Sequence, residues 1–477
     1  MSTGRQRCVA NHVVMVPPTS FGFNEETAGT NEFMHANLST SNSISNAPGT
    51  RTASPDHAAT SAKIVQQQAS IEWHNVKSKL EAFGVKVSVL MGEQHDKPDF
   101  LPDAVFPNNW FSTFVSSPRG GGGGDHLHQH DKTSTINCDG TSAREDHPLM
   151  SKKIAIYPML CPSRQREVKI ESLVQLIGWN NDYAEQVRES ESQQQLQQDK
   201  STTEIVDLRG DVEEGAKTAG STSRSSKVFL EGTGCLVFDH WTRTCFLALS
   251  PRANSVALAE SLVCDRMGYD LVVFETVNNI YHTNVIMTVG KSVAVVCLEQ
   301  VKGVAAGDYD EKIARAVEQQ QQQNGDETTD EKQKIKASTR HRKTTKTTCF
   351  ISSKQELQEL LEQKLLKKVI DISFAQVENF AGNCLELAAR SNKSASTSTT
   401  ATTHFGAGDV DEKENMNKQD EELEFLWLLS TTAEKAFTEE QKRTLSESGY
   451  MLVCCDVSTI EKIGGGGVRC MVAEVFW

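Results

Sequence analysis

The chain has 477 residues, with 63 Asp or Glu against 49 Lys or Arg, so its formal net charge is -14 at pH 7. This acidic balance argues against a general binder of nucleic-acid backbones, which would carry a basic face. We therefore expect no nucleic-acid partner. An acidic surface suits an enzyme with a small cationic or zwitterionic substrate, and it equally suits plain solubility.

The sequence contains no apolar run that approaches the roughly 20 residues of a membrane span. Its first residues, MSTGRQRCVANHVVMV, lack the apolar core of a signal peptide. The 12 cysteines are scattered, with no CxxC pair and no zinc-finger spacing. We expect a cytoplasmic protein with no membrane partner, whose thiols are reduced and mostly buried.

Five low-complexity segments interrupt the chain and are predicted to be disordered insertions, at residues 38–61, 117–148, 189–227, 306–348 and 391–417. Roughly 300 residues remain, which suits one compact domain, so residues 1–477 are predicted to be a single interrupted domain. His126, His128 and His130 alternate like a metal tract, and Lys332–Lys346 is basic like a nucleic-acid patch. Both fall inside predicted insertions, so we expect solvent-exposed side chains there in preference to a metal site or a nucleic-acid patch.

Between the insertions, short apolar strands alternate with helices. The predicted helices are Lys63–Phe83, Arg164–Leu176, Ala253–Met267, Gln355–Lys368 and Glu439–Ser448. The predicted strands are Val13–Val16, Val85–Leu90, Ile154–Tyr157, Leu236–Phe238, Cys245–Leu249, Leu271–Phe274, Val285–Val289, Val293–Leu298, Leu385–Leu387, Met451–Cys455 and Val468–Val475. Gly84, Gly178 and Gly268 follow three of the helices, where left-handed C-caps are expected. The alternation indicates an α/β protein with a repeated unit, and periodicity alone leaves a doubly wound sheet open.

Three residues have the side chains that covalent catalysis needs. Cys470 follows four glycines and Arg469, whose positive charge favours the thiolate; the alternative is a buried strand cysteine. His282 begins a strand, and its alternative is a hydrogen-bonded core histidine. Glu231 lies in a turn rich in Gly and Thr, where a plain exposed carboxylate is the alternative. Together they supply a nucleophile, a general acid/base and a residue that orients it.

Six motifs in a fixed order resemble the guanidino-group-modifying superfamily: FGFNEETA, FPNNW, LEGTG, IYHTNV, FAGN and TIEKIGGGGVRCMVAE. This superfamily comprises arginine deiminases, dimethylarginine dimethylaminohydrolases, amidinotransferases and succinylarginine dihydrolases. The likeness is greatest to the citrulline-utilisation hydrolases and eukaryotic-type dimethylargininases. The resemblance implies the pentein fold, a five-bladed α/β propeller of repeated ββαβ units.

The resemblance also implies roles for individual residues. Cys470 matches the nucleophile, His282 the general acid/base and Glu231 the acid that orients the histidine. The implied reaction is covalent attack of the thiolate on a guanidino or ureido carbon, with no metal or other cofactor. Transfer of the amidino group to an acceptor amine is an alternative. A binding protein of the same fold without turnover is another.

Four further residues are predicted to bind the substrate. Asn109 and Asn284 match positions where deiminases place aspartates against a guanidinium, and Arg252 resembles an arginine that binds the substrate carboxylate. Asp103 could place a negative charge in the pocket. Because two neutral amides suit a ureido group, we expect citrulline to be preferred over arginine or methylarginines. The substrate is thus a small arginine-derived molecule, and a homodimer is an open expectation.

Overall fold

The computed structural model of the protein describes residues 8–35, 55–91, 100–116, 151–178, 203–209, 228–304, 348–390 and 423–477. Its strands are β1 His12–Met15, β2 Lys86–Val89, β3 Phe111–Ser116, β4 Ser151–Ile156, β5 Glu204–Asp207, β6 Leu236–Asp239, β7 Thr244–Ala248, β8 Asp270–Thr276, β9 Met287–Val289, β10 Val293–Val296, β11 Val301–Lys302, β12 Thr348–Phe350, β13 Lys368–Asp371, β14 Leu385–Arg390, β15 Leu423–Ser430, β16 Tyr450–Cys455 and β17 Ala473–Val475.

The helices of the same ranges are mostly short. The α-helices are Glu25–Ala28, Pro55–Ala82, Pro162–Gln165, Ile170–Ile177, Gly232–Cys235, Val256–Glu260, Lys354–Glu359, Phe374–Val377, Thr431–Ala436, Glu439–Glu447 and Ser458–Gly464. Two of them continue as π-helical turns, Ser261–Met267 and Leu360–Lys364. Single 3₁₀ turns cover Pro107–Asn109, Thr283–Val285, Leu298–Gln300 and Val468–Met471.

The strands form five small mixed sheets in the described ranges. Four have three strands each, in the orders β17-β1-β2, β3-β4-β5, β9-β10-β13 and β14-β15-β16, and the fifth is built on β6-β7-β8 with β11 and β12 added. In every sheet the middle strand pairs antiparallel with one neighbour and parallel with the other. A parallel partner needs a crossover, and each of the five crossovers contains a helix. The repeated unit predicted from the sequence is therefore present five times.

Burial on both faces explains why the central strands have almost continuous apolar sequences. The strand Val293–Val296 is completely buried, and so is Thr244–Ala248. Helices pack against such strands through spaced apolar residues; Leu173 and Ile177, one turn apart, are the buried residues of the helix Ile170–Ile177. Among the helices of the described ranges, none has the length and apolar character needed to cross a membrane.

The structure differs from the predicted insertions at two places, apart from Thr348, the last residue of the insertion 306–348, which begins the strand β12. The first long helix begins at Pro55, within the predicted insertion 38–61; proline suits a first helical turn, where its missing N–H is not needed. The strand Glu204–Asp207 lies within the predicted insertion 189–227, and its residue Val206 is buried against the parallel strand β4. Polar low-complexity sequence on both sides conceals this short apolar run. Residues 117–148, 306–347 and 391–417, with the alternating histidines and the basic run, lie outside the described residues.

Local geometry corrects three further expectations. Gly84 and Gly268 have φ of 76° and 72°, as left-handed C-caps require, whereas Gly178 has φ of -78°. That prediction for Gly178 is wrong because its N–H donates to the Val174 carbonyl and continues the α-helical pattern. The predicted strands Val285–Val289 and Val468–Val475 each begin with a 3₁₀ turn instead. Both turns carry site residues.

A buried carboxylate connects the longest helix to the helix that precedes Cys470. Both side-chain oxygens of Glu72 accept from the Thr459 N–H, at 3.0 and 3.1 Å, and one also accepts from the Ile460 N–H at 3.1 Å. The first N–H groups of a helix have no partner within it, so Glu72 satisfies the start of the helix Ser458–Gly464 from outside.

Glu72→Ala is expected to lower the free energy of unfolding by about 3 kcal/mol, because it leaves buried N–H groups without an acceptor. Urea unfolding followed by fluorescence measures this loss. Glu72→Gln is the matched control; it keeps one acceptor oxygen and should lose less. A loss below about 1 kcal/mol for the alanine variant would contradict the capping role.

Candidate active site

Five of the seven predicted site residues line one cavity: Asp103, Asn109, Arg252, His282 and Cys470. The other two, Glu231 and Asn284, each contact a residue that lines the cavity. Glu231 hydrogen bonds to His282, and the Asn284 side chain contacts the sulfur of Cys470. All seven are at least nine-tenths buried. Residues from opposite ends of the sequence are therefore brought together as the motif order predicts.

Cys470 lies in the 3₁₀ turn Val468–Met471, and two asparagine side chains surround its sulfur. Asn383 Nδ2 is 3.4 Å from Sγ and Asn284 Nδ2 is 3.7 Å from it. Both amides present N–H groups, which stabilise a thiolate more than a thiol. Burial nevertheless raises the pKa of Cys470, against the opposing effects of Asn383 and Arg469.

The Arg469 guanidinium is engaged elsewhere in the structure. It donates to the Glu474 carboxylate at 2.9 Å and to the Val472 carbonyl at 3.0 Å. The expectation that Arg469 favours a thiolate is correct in sign, since its charge lowers the pKa of Cys470, but burial has the larger effect. In the free protein Cys470 is therefore a thiol at neutral pH.

The glycine run before Cys470 allows a close approach that other residues would block. A Cβ on Gly467 would lie 2.6 Å from Asn383 Oδ1, the side chain that contacts the sulfur. Gly465 has φ of 63°, in the left-handed region, and a Cβ there would lie 2.6 Å from Asn31 Nδ2. The run is therefore a tightly packed turn that fixes the position of Cys470.

His282 and Glu231 form a buried pair. The imidazole Nε2 lies 2.8 Å from Glu231 Oε2, and neither side chain is exposed. Burial lowers the pKa of His282 to about 4, although the hydrogen bond to Glu231 opposes this. At neutral pH the imidazole is thus neutral, donates its Nε2 proton to Glu231 and leaves Nδ1 as a proton acceptor.

The lack of a side chain at Gly234 allows His282 and Asn109 to approach it closely. A Cβ on Gly234 would lie 2.8 Å from His282 Nδ1 and 2.7 Å from Asn109 Oδ1. These two atoms therefore lie against the same glycine. Asn109 Oδ1 is buried and has no hydrogen-bond partner. The unprotonated ring nitrogen of His282 and the acceptor oxygen of Asn109 thus lie close to each other.

Glu231 is held ionised by its neighbours. Its Oε1 accepts from the Leu160 N–H at 3.0 Å, and its Oε2 lies 3.3 Å from Arg252 Nη1 as well as close to His282. Burial would raise the pKa of Glu231, but the Arg252 charge and the His282 hydrogen bond outweigh it and lower the pKa well below its ordinary value.

Opposite charges line the cavity at Asp103, Arg164 and Arg252. Asp103 Oδ2 accepts from Thr27 Oγ1 at 2.9 Å, while Oδ1 is buried without a partner. Burial raises the pKa of Asp103, and the charge of Arg164 opposes this. Arg252 donates to the Thr27 carbonyl and the Thr30 hydroxyl, and its guanidinium lies 4.7 Å from the centre of the Tyr281 ring. Its predicted contact with a substrate carboxylate stays a prediction.

The amide nitrogen of Asn284 already contacts other groups of the protein. Nδ2 donates to the Thr233 carbonyl at 3.1 Å and faces Cys470 Sγ, while Oδ1 has no partner. Its predicted contact with the substrate also stays a prediction.

Sequence reasoning gave no role to two residues of this site. Asn383 ends the FAGN motif, where Phe380 has φ of 61°, a left-handed conformation that is rare outside glycine. A strained backbone at Phe380, the first residue of this motif, points to a functional role, and the sequence does not show it. Arg164 is fully buried beside Glu167, at 2.8 Å. The sequence does not show that Arg164, at the start of a short helix, is buried.

A model of the family described as N,N dimethylarginine dimethylhydrolase, eukaryotic, matches residues 17–119, 144–337 and 408–477. No curated protein sequence matches the chain significantly. Among solved structures, the substrate-bound N-terminal domain of ArgZ, an arginine dihydrolase from the ornithine-ammonia cycle in cyanobacteria, has a TM-score of 0.46 at 11% identity, over 97% of each chain. An adduct of dimethylarginine dimethylaminohydrolase with S-methyl-L-thiocitrulline has a TM-score of 0.38 at 10% identity, over 98% of this chain and 100% of that one. These likenesses are too low to establish a shared activity.

The raised pKa of Cys470 predicts slow alkylation of the free protein at neutral pH. Its reaction rate with iodoacetamide should keep rising above pH 9, because the thiolate fraction is still growing there. Asn383→Ala should slow the reaction further at fixed pH, since it removes an N–H that stabilises the thiolate. The exposed Asn379→Ala is the control. A rate that levels off below pH 8 would show that the thiol pKa is lowered instead.

Proposed function

The chain belongs to the eukaryotic N,N-dimethylarginine dimethylhydrolase family and is a hydrolase of C–N bonds in arginine derivatives; on this premise we propose that it cleaves N-methylated arginine through a covalent bond to Cys470. The observation that carries this proposal is the buried pair of His282 Nε2 and Glu231 Oε2, 2.8 Å apart, at a cavity that also holds Cys470. A nucleophile, a base and an orienting acid in one buried place are the requirements of covalent hydrolysis.

The charged residues of the cavity support an α-amino acid as the substrate. Asp103 Oδ1 lacks a partner and can accept from an α-ammonium group, while Arg164 and Arg252 provide positive charge for an α-carboxylate. Binding a zwitterion there places its side chain toward His282 and Cys470. The unpartnered Asn109 Oδ1 beside His282 can then accept from a guanidinium N–H.

In the first step, the Cys470 sulfur bonds to the central guanidinium carbon, and His282 Nδ1 takes the thiol proton. The carbon–nitrogen bond to the methylated nitrogen breaks, and His282 returns that proton to the departing amine. The adduct is a thiouronium cation on Cys470. The positive charge of the substrate favours the thiolate, which offsets the raised pKa of the buried thiol.

In the second step, water replaces the amine. His282 Nδ1 takes a proton from the water as its oxygen bonds to the carbon, the sulfur–carbon bond breaks, and the thiol is restored. The remaining positive charge leaves as a proton, and the products are a ureido amino acid and methylamine or dimethylamine. Glu231 keeps the imidazole oriented and stabilises its protonated form in both steps.

The five-fold repetition of the sheets supports a matching proposal for the architecture. We propose that the five ββαβ units are the blades of a pentein propeller. The first and last strands, β1 and β17, pair antiparallel within one sheet, so the two ends of the chain complete a single unit.

Citrulline is a second candidate substrate, favoured by one observation. The side chain beside His282 Nδ1 is the neutral amide of Asn109 rather than a carboxylate. An amide can both donate to a ureido oxygen and accept from a ureido nitrogen. Hydrolysis of citrulline by the same two steps would release ammonia and leave a carbamate of ornithine, whose remaining carbon–nitrogen bond breaks as it loses carbon dioxide to give ornithine.

Cys470→Ser is expected to lower kcat for asymmetric dimethylarginine by at least about a hundredfold, because an alcohol is far less acidic than a thiol. Release of dimethylamine and of citrulline measures turnover. Cys349→Ser is the matched control, since Cys349 is an exposed thiol, and it should keep full activity. Substantial turnover by Cys470→Ser would exclude Cys470 as the nucleophile.

The same assay with citrulline, measured as ornithine and ammonia, decides between the two candidates by kcat/KM. Asn109→Asp should shift the preference toward the cationic substrates by about ten- to a hundredfold, the worth of one charge-assisted hydrogen bond. An unchanged preference would show that Asn109 does not face the reacting group.

A further inference from the structure

A second cavity is lined in part by Ser458, Glu461 and Lys462 of the helix Ser458–Gly464. Three carboxylates line it, from Glu32, Glu378 and Glu461, together with the rings of Phe33, Phe374 and Phe380. Lys462 lines it as well. None of these side chains takes part in the reaction proposed above. The cavity therefore needs its own explanation.

Glu461 is the buried member of the acidic set. It is 3% exposed, and its Oε2 accepts from the Thr432 hydroxyl at 2.6 Å, but its Oε1 is buried with no hydrogen-bond partner. Burial raises the pKa of Glu461 to about 7. A buried carboxylate oxygen without a donor is costly unless a ligand supplies one.

The other two carboxylates repel one another at the mouth of the cavity. Glu32 and Glu378 are both exposed. Partial removal of Glu32 from water raises its pKa, and the negative charge of Glu378 raises it further. A positively charged ligand would relieve this repulsion and could provide a donor for Oε1 of Glu461.

The aromatic rings indicate that this cation is organic. Phe33 and Phe380 contact each other with ring centres 5.9 Å apart, so they form a continuous apolar wall in the cavity. Such a wall packs against methylene groups and against the face of a guanidinium or ammonium group. The described residues contain no group of three or more His, Cys, Asp or Glu side chains that could hold a metal ion.

We propose that this cavity binds a free basic amino acid, with its cationic side chain at Glu461 and its carboxylate at Lys462. The three phenylalanines contact the methylene chain, and Glu32 and Glu378 attract the ligand to the mouth. The site is distinct from the cavity that contains Cys470. It does not depend on the reaction assigned to that residue.

A short series of contacts connects this cavity to the catalytic cavity. Glu461 lies on the helix whose last residue, Gly464, lines the catalytic cavity together with the next residue, Gly465. Phe33 contacts the Tyr281 ring with centres 6.2 Å apart, and the Tyr281 hydroxyl donates to the Gly465 carbonyl at 2.8 Å. A ligand held at Glu461 therefore acts on the turn that positions Cys470.

The test is calorimetric titration of L-arginine into the full chain carrying Cys470→Ser, which prevents turnover. Two sites per chain are expected. Glu461→Gln on this background should weaken one of them by about tenfold or more, because it removes a charge-assisted hydrogen bond. Asp103→Asn should weaken the other one. Glu440→Gln, the same change at an exposed glutamate, is the control and should alter neither.

Binding of arginine that is unaffected by Glu461→Gln would overturn the proposal, and so would a single site lost in Asp103→Asn. If Glu461→Gln does not fold, the exposed Glu378→Gln should weaken the same site, and unchanged binding in that variant would overturn the proposal too. A site sensitive to Glu461→Gln with no second site sensitive to Asp103→Asn would support this cavity and count against the proposed function.

Discussion

The buried charge of Glu231 is the constraint around which the site is built. A carboxylate removed from water must be paired, and Glu231 is paired three times, with the Leu160 N–H, Arg252 and His282. These bonds fix the tautomer of His282 and point its Nδ1 away from the acid. Loss of one partner would leave a charge uncompensated in the core, so the orientation of the His282 imidazole is tied to folding itself.

Burial also determines the protonation states from which the proposed mechanism starts. The pKa of Cys470 is raised and that of His282 is lowered, both by removal from water, so the free protein holds a neutral thiol beside a neutral imidazole. Neither group is reactive alone. A cationic substrate changes this balance because its charge favours the thiolate. In the proposed mechanism, the thiol is therefore activated when a cationic substrate binds.

The sequence predicted features that are visible within a motif or a short run of residues, and it missed features that depend on contacts between distant residues. The family resemblance grouped Cys470, His282 and Glu231, and in the structure Cys470 and His282 line one cavity while Glu231 hydrogen bonds to His282. The apolar runs located most of the described strands, because buried strands need continuous apolar sequence. The strand Glu204–Asp207 was missed because its pairing partner β4 is distant in sequence and polar residues surround it. The role of Asn383 was missed because it depends on a contact with a sulfur 87 residues away. The effect of Arg469 was overestimated because sequence does not show how deeply the thiol is buried.

The most direct test of the central claim is the mass of the intact protein after rapid acid quenching with asymmetric dimethylarginine. His282→Gly should slow water attack more than thiol attack once substrate is bound, and so allow the adduct to accumulate. The account predicts a mass increase equal to the substrate minus dimethylamine, located by peptide mapping on Cys470. Turnover by the wild-type protein with no adduct on Cys470 at any quench time, in either protein, would contradict the covalent mechanism.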